Sequence, residues 1–381
     1  MKFLHLSDLH IGKTVNHFPM LQEQQHAFQQ ILHYIQAEKP DAVLIAGDVY
    51  DRAVPGVEAV RLFDDFLTAL ASTGTAVLLI SGNHDSPERL HYASRLLSEQ
   101  NLHLCGRFDG KLHSVTLTDV YGEVHFWLLP FIRPAVVRGM FPDTEIESYT
   151  DAVRAALGTA DIDPSQRNVL LSHQFYTGSG IEPIRSESEI NPIGGLDAVD
   201  ASLLAPFDYV ALGHLHRAQG VSPIARYAGS MLKYSLSERL HEKSVTLVEL
   251  GEKGVFSYSK LPLTPLRDMR EIRGTLDELL SPEVSSQGNK DDYLRVILTD
   301  TEDIIDPAGK LRSVYPHVMD VFLEHFQKNQ EALLSLPDMD SPDSLSLYDL
   351  FSEFFLESSG AVMTDAQAKI VQELLDAEVD A

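Results

Sequence analysis

One cysteine, Cys105, stands in 381 residues. A disulfide framework is thereby excluded, and the thiol reads as a small buried hydrophobe in a chain suited to a reducing compartment. No apolar stretch of about 18 residues occurs, and no charged-then-apolar leader precedes the first strand, so neither a membrane span nor a signal peptide is expected. Basic residues are scarce: 30 Lys and Arg against 56 Asp and Glu leave a formal net charge of −26. A chain that gripped duplex nucleic acid unaided would carry a basic face, so any such role needs a partner that supplies much of the affinity. These absences point to a cytoplasmic chain without membrane contact, long enough for one large domain and something smaller.

Five short apolar runs each break on a residue that can hold a metal. Phe3–Leu6 stops at Ser7-Asp8-Leu9-His10, Ala42–Ala46 at Gly47-Asp48, and Thr75–Ile80 at Ser81-Gly82-Asn83-His84-Asp85. Val169–Leu171 stops at Ser172-His173, and Tyr209–Leu212 at Gly213-His214-Leu215-His216. Short apolar runs bounded by turn formers read as buried strands. A lone Gly-Asp is an ordinary turn; five such endings in one chain are not. In a parallel or mixed α/β sheet the loops at strand carboxyl ends gather on one edge. Asp8, His10, Asp48, Asn83, His173, His214 and His216 are therefore expected to meet in a single site.

Carboxylates, imidazoles and one amide oxygen, without thiolates, suit Mn²⁺, Fe²⁺ or Zn²⁺ in five- or six-coordinate sites rather than a closed structural zinc. Seven ligands exceed one such ion and fit two that share a bridging carboxylate. Two ions roughly 3.5–4 Å apart stabilise both the attacking and the leaving oxygens of an in-line displacement at phosphorus. Phosphoester hydrolysis is the natural reaction for this set.

Asp8-x-His10, Gly47-Asp48, Gly82-Asn83-His84-Asp85, the single His173 and Gly213-His214-x-His216 resemble, in order, the five signatures of the calcineurin-like metallophosphoesterase superfamily. Leu6-Ser7-Asp8-Leu9-His10-Ile11-Gly12, Ala46-Gly47-Asp48-Val49-Tyr50-Asp51, Leu212-Gly213-His214-Leu215-His216-Arg217 and Tyr227-Ala228-Gly229-Ser230 narrow the resemblance to the bacterial nuclease subunits that work with an SMC-like coiled-coil ATPase. It is strong to about residue 265 and weaker beyond.

The resemblance implies an α/β fold: a two-sheet sandwich flanked by helices over residues 1–265, then a small α/β domain capping DNA over 266–330. A linker over 331–344 and a helical hairpin over 345–381, gripping the root of the ATPase coiled coil, would follow. One metal ion would be held by Asp8, His10, Asp48 and His216 and the other by Asp48, Asn83, His173 and His214, with Asp48 bridging and Mn²⁺ the expected ion. The implied activity is 3′→5′ exonuclease action on duplex DNA ends and endonucleolytic opening of hairpins, under ATP control through the partner. Dimerisation of the nuclease subunit would give a heterotetramer acting in DNA repair, recombination and replication.

His84 follows Asn83 in a tight turn, so the two side chains diverge. A His beside a two-metal site can protonate the departing alkoxide or stabilise pentavalent phosphorus, and the resemblance implies this role. Asp85 is expected to orient His84 through a hydrogen bond. At Asp51 the archaeal and eukaryotic relatives carry a His; here it reads either as an acceptor behind the ligands or as a turn residue. Lys13, Arg52, Arg217 and Lys233 flank the motifs and read either as phosphate contacts or as solvated surface. Histidines outside the strand-end pattern, His5 and His103 among them, read as structural or solvated.

Residues 20–38 carry an apolar stripe of Ala27, Ile31, Leu32 and Ile35 closed by Lys39-Pro40, the crossover helix of a βαβ unit. The helix expected at about 57–71 is apolar on two faces, Val57, Val60 and Phe63 on one and Ala59, Leu62 and Phe66 on the other. A single helix after Asn83 adds Tyr92 and Leu96. These second faces are covered either by ordinary burial or by a second copy of the chain. Residues 112–119 and 124–131 form a hairpin around Tyr121-Gly122, 151–157 a short helix, and strands near 225–228, 244–250 and 255–263 complete a second sheet. Gly178 to Gly195 is a long polar loop.

From Met269 the pattern runs strand (269–273), helix (276–280), strand (293–298), helix (307–314), strand (318–322). A linker rich in Asp, Pro and Ser precedes two amphipathic helices. Leu347, Leu350, Phe351, Phe354 and Phe355 line the first, stopped by Gly360; Ile370, Val371, Leu374 and Leu375 line the second, capped by Thr364-x-x-Gln367. So apolar a hairpin needs a partner helix or its own catalytic domain for cover.

Two rivals share these residues. A phosphatase or cyclic-nucleotide phosphodiesterase would have the same fold, but the superfamily's protein phosphatases carry an Arg before Gly-Asn-His, where this chain has Ser81. A scaffold that only binds the ATPase and DNA is opposed by the intact ligand set, because a cage of buried charges without metals destabilises.

Overall fold

The computed structural model describes residues 1–178, 183–189, 197–302, 304–324, 347–359 and 362–379. The expected linker at 331–344, Gly360 and most of the Gly178–Gly195 loop lie outside the described residues. The chain divides into two units, Met1–Asp268 and Met269–Ala381.

In the first unit the strand Lys2–Leu6 sits inside a six-stranded sheet. Ala42–Ala46, Ala76–Ile80 and Leu102–Cys105 follow it in parallel on one side. On the other side Ser244–Leu250 pairs antiparallel with it, and Phe256–Pro262 with Ser244–Leu250. A second six-stranded sheet runs Gln219–Gly220, Ala225–Tyr227, Tyr209–Leu212, Arg167–Ser172, Gly122–Leu129, His113–Asp119, parallel except at its two outermost pairings.

The side-chain period of two decides what each strand buries. Phe3, Leu44, Leu78 and Ile80 of the first sheet meet Phe126, Val169, Leu171 and Tyr209 of the second in one core. The alternate residues Leu170, Val210 and Leu212 turn outward, where Val137, Ala152, Val153 and Ala156 of the helices Pro134–Met140 and Tyr149–Leu157 cover them. Each such large aliphatic or aromatic side chain contributes about 1.5–3 kcal/mol by burial. The helices Leu21–Glu38 and Val57–Ser72 lock to each other through the Phe28 and Phe66 rings, stacked 4.0 Å apart.

Three expectations change. Ser244–Leu250 and Phe256–Pro262 extend the first sheet, not the second, because Ser244–Leu250 covers the open edge of Lys2–Leu6 in register Phe3↔Val248. The five strand ends therefore converge from two facing sheets, three from the first and two from the second, and not from one sheet edge. The single helix after Asn83 is two short ones, Pro87–His91 and Ser94–Ser98, broken where Ala93 turns left-handed at φ 59.

Arg167 ties the second sheet together. Its guanidinium holds Asp119 by two bonds of 2.6 and 3.0 Å and gives further N–H groups to the carbonyls of Gly122 and Gly251. The Arg167 bonds hold the Asp119 carboxyl well below the usual carboxylate range. A carboxyl depressed in the folded state stabilises above its unfolded value of about 3.9 and loses that contribution as pH falls through the folded value. Arg167→Ala is expected to cost about 1–3 kcal/mol at pH 7, because Asp119 keeps the Met1 ammonium at 2.6 Å while it loses the guanidinium and the Gly122 and Gly251 carbonyls lose their donor. In thermal melts the deficit relative to wild type should shrink as pH falls below about 4.

In the second unit three parallel strands, Met269–Gly274, Tyr293–Leu298 and Val318–Leu323, carry short helices at Leu276–Leu280 and Pro307–Arg312. This is the order expected from the sequence. Leu276, Leu279, Leu294, Val296, Leu311 and Tyr315 form its core. Two further helices are Leu347–Ser359 and Asp365–Val379, the second opened by reciprocal bonds between Thr364 and Gln367. Among the described residues no helix is long and apolar enough to cross a membrane.

Candidate metal centre

The seven residues expected at one site are brought to one site. Adjacent loops are tied through their backbones: Asp8 N donates to Gly47 O at 3.1 Å and His10 N to Asp48 O at 2.9 Å. Asp8, His10, Asp48 and His214 have φ of 52, 43, 50 and 105°. That left-handed region is costly for residues with a Cβ, and such strain collects at functional sites. Two glycines make room: a Cβ on Gly47 would overlap the His173 ring, and one on Gly82 the Asp48 carboxylate.

The donor atoms face one another. His10 Nε2 lies 3.1 Å from His216 Nε2 and 3.6 Å from Asp48 Oδ2. His173 Nε2 lies 3.2 Å from the same Asp48 Oδ2 and 3.2 Å from Asn83 Oδ1, which also stands 3.0 Å from His214 Nδ1. Asp8 accepts the His214 N–H at 3.1 Å. Two nitrogens each about 2.1 Å from one ion stand about 3.0–3.4 Å apart in octahedral or tetrahedral geometry, so the His10–His216 spacing fits a shared ion. Asp8, His10 and His216 form one group able to hold a metal and Asp8, Asp48 and His173 a second. The donor set fits two divalent ions.

Residues 1–218 match the calcineurin-like phosphoesterase family. The chain belongs to that family. Residues 265–359 match a family described as the type 5 capsule protein repressor C-terminal domain. The D component of the nuclease SbcCD from Staphylococcus epidermidis is 31% identical over 323 residues, 84% of this chain and 84% of its own length. Its counterpart in the nuclease SbcCD of Staphylococcus saprophyticus is 28% identical over 383 residues, 99% of this chain and 98% of its own length. A dimetal phosphatase from Danio rerio superposes with a TM-score of 0.37 at 12% identity, over 69% of this chain and 99% of its own. Membership makes the protein a metal-dependent phosphoesterase of nuclease type.

The loops behind the phosphoesterase centre differ from expectation in one respect. Asp85 does not bond His84; its carboxylate accepts the backbone N–H groups of Val49, Tyr50 and Gly82 at 3.1, 2.9 and 2.8 Å. Asp85 thus clamps the Asp48 loop to the Asn83 loop, since a carboxylate satisfies several orphan N–H groups at once. Burial and nearby Asp48 push it up to about 6 against those three bonds. His84 is oriented instead by its neighbours' backbone: Nδ1 lies 2.9 Å from the Asp51 carbonyl, and its own N–H donates to Asp48 Oδ1 at 2.9 Å. The ring meets His10 edge-on at 4.8 Å.

Burial drives His10 well below the usual imidazole range and His214 to about 3, leaving both neutral, the form that binds metal. His173 is equally buried, yet Asp48 beside it raises it to about 9. Burial alone would raise Asp48, but His173 and His10 draw it well below the carboxylate range. Asp8 moves up, because burial and Asp48 outweigh His173 and His216.

The flanking cations sort themselves. Lys13 pairs with Asp51 at 2.8 Å, and Lys233 pairs with Asp268 at 2.6 Å. Arg52 is exposed, 3.7 Å from Asp51, and Arg217 is exposed with no ion pair among the described residues. Sequence reading missed Glu238, Lys243, Ser188 and Glu189, which surround His216 from behind. No strand end or glycine motif marks them, so pattern alone had no means to find them.

Proposed function

We propose that this phosphoesterase is the nuclease subunit of an SbcCD-type complex: a two-metal DNA phosphodiesterase with 3′→5′ exonuclease action on duplex ends and endonuclease action on hairpins. The observation that carries the two-metal reading is the convergence of seven oxygen and nitrogen donors from five loops around Asp48. Asp8, His10, Asp48 and His216 would hold one ion and Asp48, Asn83, His173 and His214 the other. Mn²⁺ suits the mixed oxygen and imidazole donors. When bound, the ions supply Lewis acidity to the attacking and leaving oxygens at phosphorus.

The chain's own residues do the rest. Asp48 and Asp8 carry the negative charge that holds cations in a buried cleft. His84 spends Nδ1 on the Asp51 carbonyl, so Nε2 is the atom that exchanges a proton at the departing oxygen. Asp85 keeps the two loops that carry Asp48 and His84 in register.

A formal net charge of −26 leaves little capacity for phosphate neutralisation, which supports an SbcC-type coiled-coil ATPase as the partner that supplies DNA affinity and ATP control. The helices at 347–359 and 365–379 carry exposed Leu350, Phe351, Ile370 and Leu374 and would grip that partner's coiled coil. Residues 266–330 would cap DNA. Val57, Tyr92 and Leu96, 65%, 81% and 70% exposed, are apolar side chains suited to a homodimer contact, giving a cytoplasmic heterotetramer.

The reading is tested by reconstituting the chain with the ATPase partner and offering a labelled hairpin duplex with Mn²⁺, with and without ATP, while sedimentation reports assembly. Metal-dependent cleavage that rises with the partner, in a two-plus-two complex, is the expected result. A complex that leaves the hairpin intact but turns over a small cyclic phosphodiester would place the activity with the small-molecule phosphodiesterases.

A further inference from the structure

Each of the four candidate ligand histidines turns one ring nitrogen into the site and the other away from it, and the outward nitrogens have unequal partners. His173 Nδ1 lies 2.7 Å from the Ala46 carbonyl, and His216 Nδ1 lies 3.0 Å from Glu238 Oε1 and 2.8 Å from the Ser188 hydroxyl. Among the described residues, His10 Nδ1 and His214 Nε2 are buried without a hydrogen-bond partner. Carboxylates of Asp51 and Asp197 stand 3.7 and 4.0 Å from them, each held by its own cation, Lys13 at 2.8 Å and Arg185 at 3.0 Å. Among the described residues, each metal position thus combines one histidine locked from behind and one that is not.

The lock on His216 is the more elaborate. Glu238 is fully buried, and Lys243 meets its second oxygen at 2.6 Å. The same ammonium donates to the His216 carbonyl at 2.9 Å and to Ser230 Oγ at 2.8 Å, while Glu189 accepts the His216 N–H at 2.6 Å. Ring, carbonyl and N–H of one residue are therefore held by one charged cluster. A buried ion pair adds little stability over apolar residues of the same volume. What this one does add is orientation: an acceptor at Nδ1 fixes the tautomer and leaves the Nε2 lone pair facing inward.

We propose that Glu238, locked by Lys243, is the positioning residue that aims His216 Nε2 into the site and so sets the affinity of the metal position formed by Asp8, His10, Asp48 and His216. The position formed with His173 and His214 has its own backbone lock and is affected far less. The inference rests on the two-metal reading above.

The test is Mn²⁺ titration of the metal-free full-length chain, followed by calorimetry and by electron paramagnetic resonance. Wild type should take up two ions and give the spectrum of a coupled pair. Glu238→Met combined with Lys243→Met removes lock and counter-charge together, so its metal-free melting temperature should stay close to wild type. It should bind one ion as wild type does and the other about 10–100-fold more weakly, with the signal of isolated Mn²⁺ at intermediate loading. Glu238→Gln, which keeps an acceptor but loses the charge, should weaken the same ion by less, and it decides the matter if the double variant does not fold. Two ions bound with wild-type affinities in the folded variant overturn the proposal. Fewer than two ions on wild type would defeat the two-metal reading itself.

Discussion

Asp48→Asn is expected to abolish metal uptake at both positions and to slow phosphodiester cleavage by about 10³–10⁴-fold or more, several kcal/mol of transition-state stabilisation. Asp48 Oδ2 lies 3.6 Å from His10 Nε2 on one side and 3.2 Å from His173 Nε2 on the other, so the carboxylate borders both groups of donors. His10 and His216 stand on one side of it and His173 on the other. Replacing one oxygen by an amide nitrogen removes the charge that both ions would share and puts N–H groups where lone pairs would be needed. The fold should survive. Asn can still accept the His84 N–H that Asp48 Oδ1 accepts at 2.9 Å, and His173 loses its main anionic neighbour but keeps Asp8 nearby. Metal content, cleavage rate and a melting curve of the metal-free protein separate the outcomes. Two ions per chain with near wild-type turnover would remove Asp48 from the bridge.

How much of this was legible beforehand follows from which signals are local. Asp8, His10, Asp48, Asn83, His173, His214 and His216 each end an apolar run, and strand ends must point somewhere in common, so the assembly could be read without knowing the partners. That the runs divide between two sheets could not be read, because Ser244–Leu250 carries the same alternation whichever edge it joins; the exposed edge of Lys2–Leu6 settles it. The break at Ala93 was hidden for a related reason, since alanine favours helix and nothing local to the sequence marks the extended Tyr92 and left-handed Ala93 that interrupt it. Asp85 was misassigned because its position next to His84 suggested a side-chain bond, whereas three unsatisfied N–H groups of two loops outcompete one imidazole. Glu238 and Lys243 were invisible: an ion pair five residues apart in a loop looks like solvated surface until burial is known.

His84→Gln is expected to lower kcat by about 10²–10⁴-fold while both ions remain bound and KM changes little. The backbone N–H of residue 84 keeps its bond to Asp48, and a glutamine amide can still donate towards the Asp51 carbonyl that now faces Nδ1. Metal titration should therefore match wild type, which separates this variant from Asp48→Asn. The loss should depend on the leaving group. A deoxyribose alkoxide is strongly basic and needs a proton as it departs, whereas a nitrophenolate ester of a nucleotide leaves nearly unaided. If Nε2 protonates the departing oxygen, the defect on the nitrophenyl ester should shrink to about tenfold or less, following Brønsted behaviour. An equal defect on both substrates would mean that His84 acts on the phosphoryl oxygens instead, as a charge stabiliser whose contribution does not depend on what leaves.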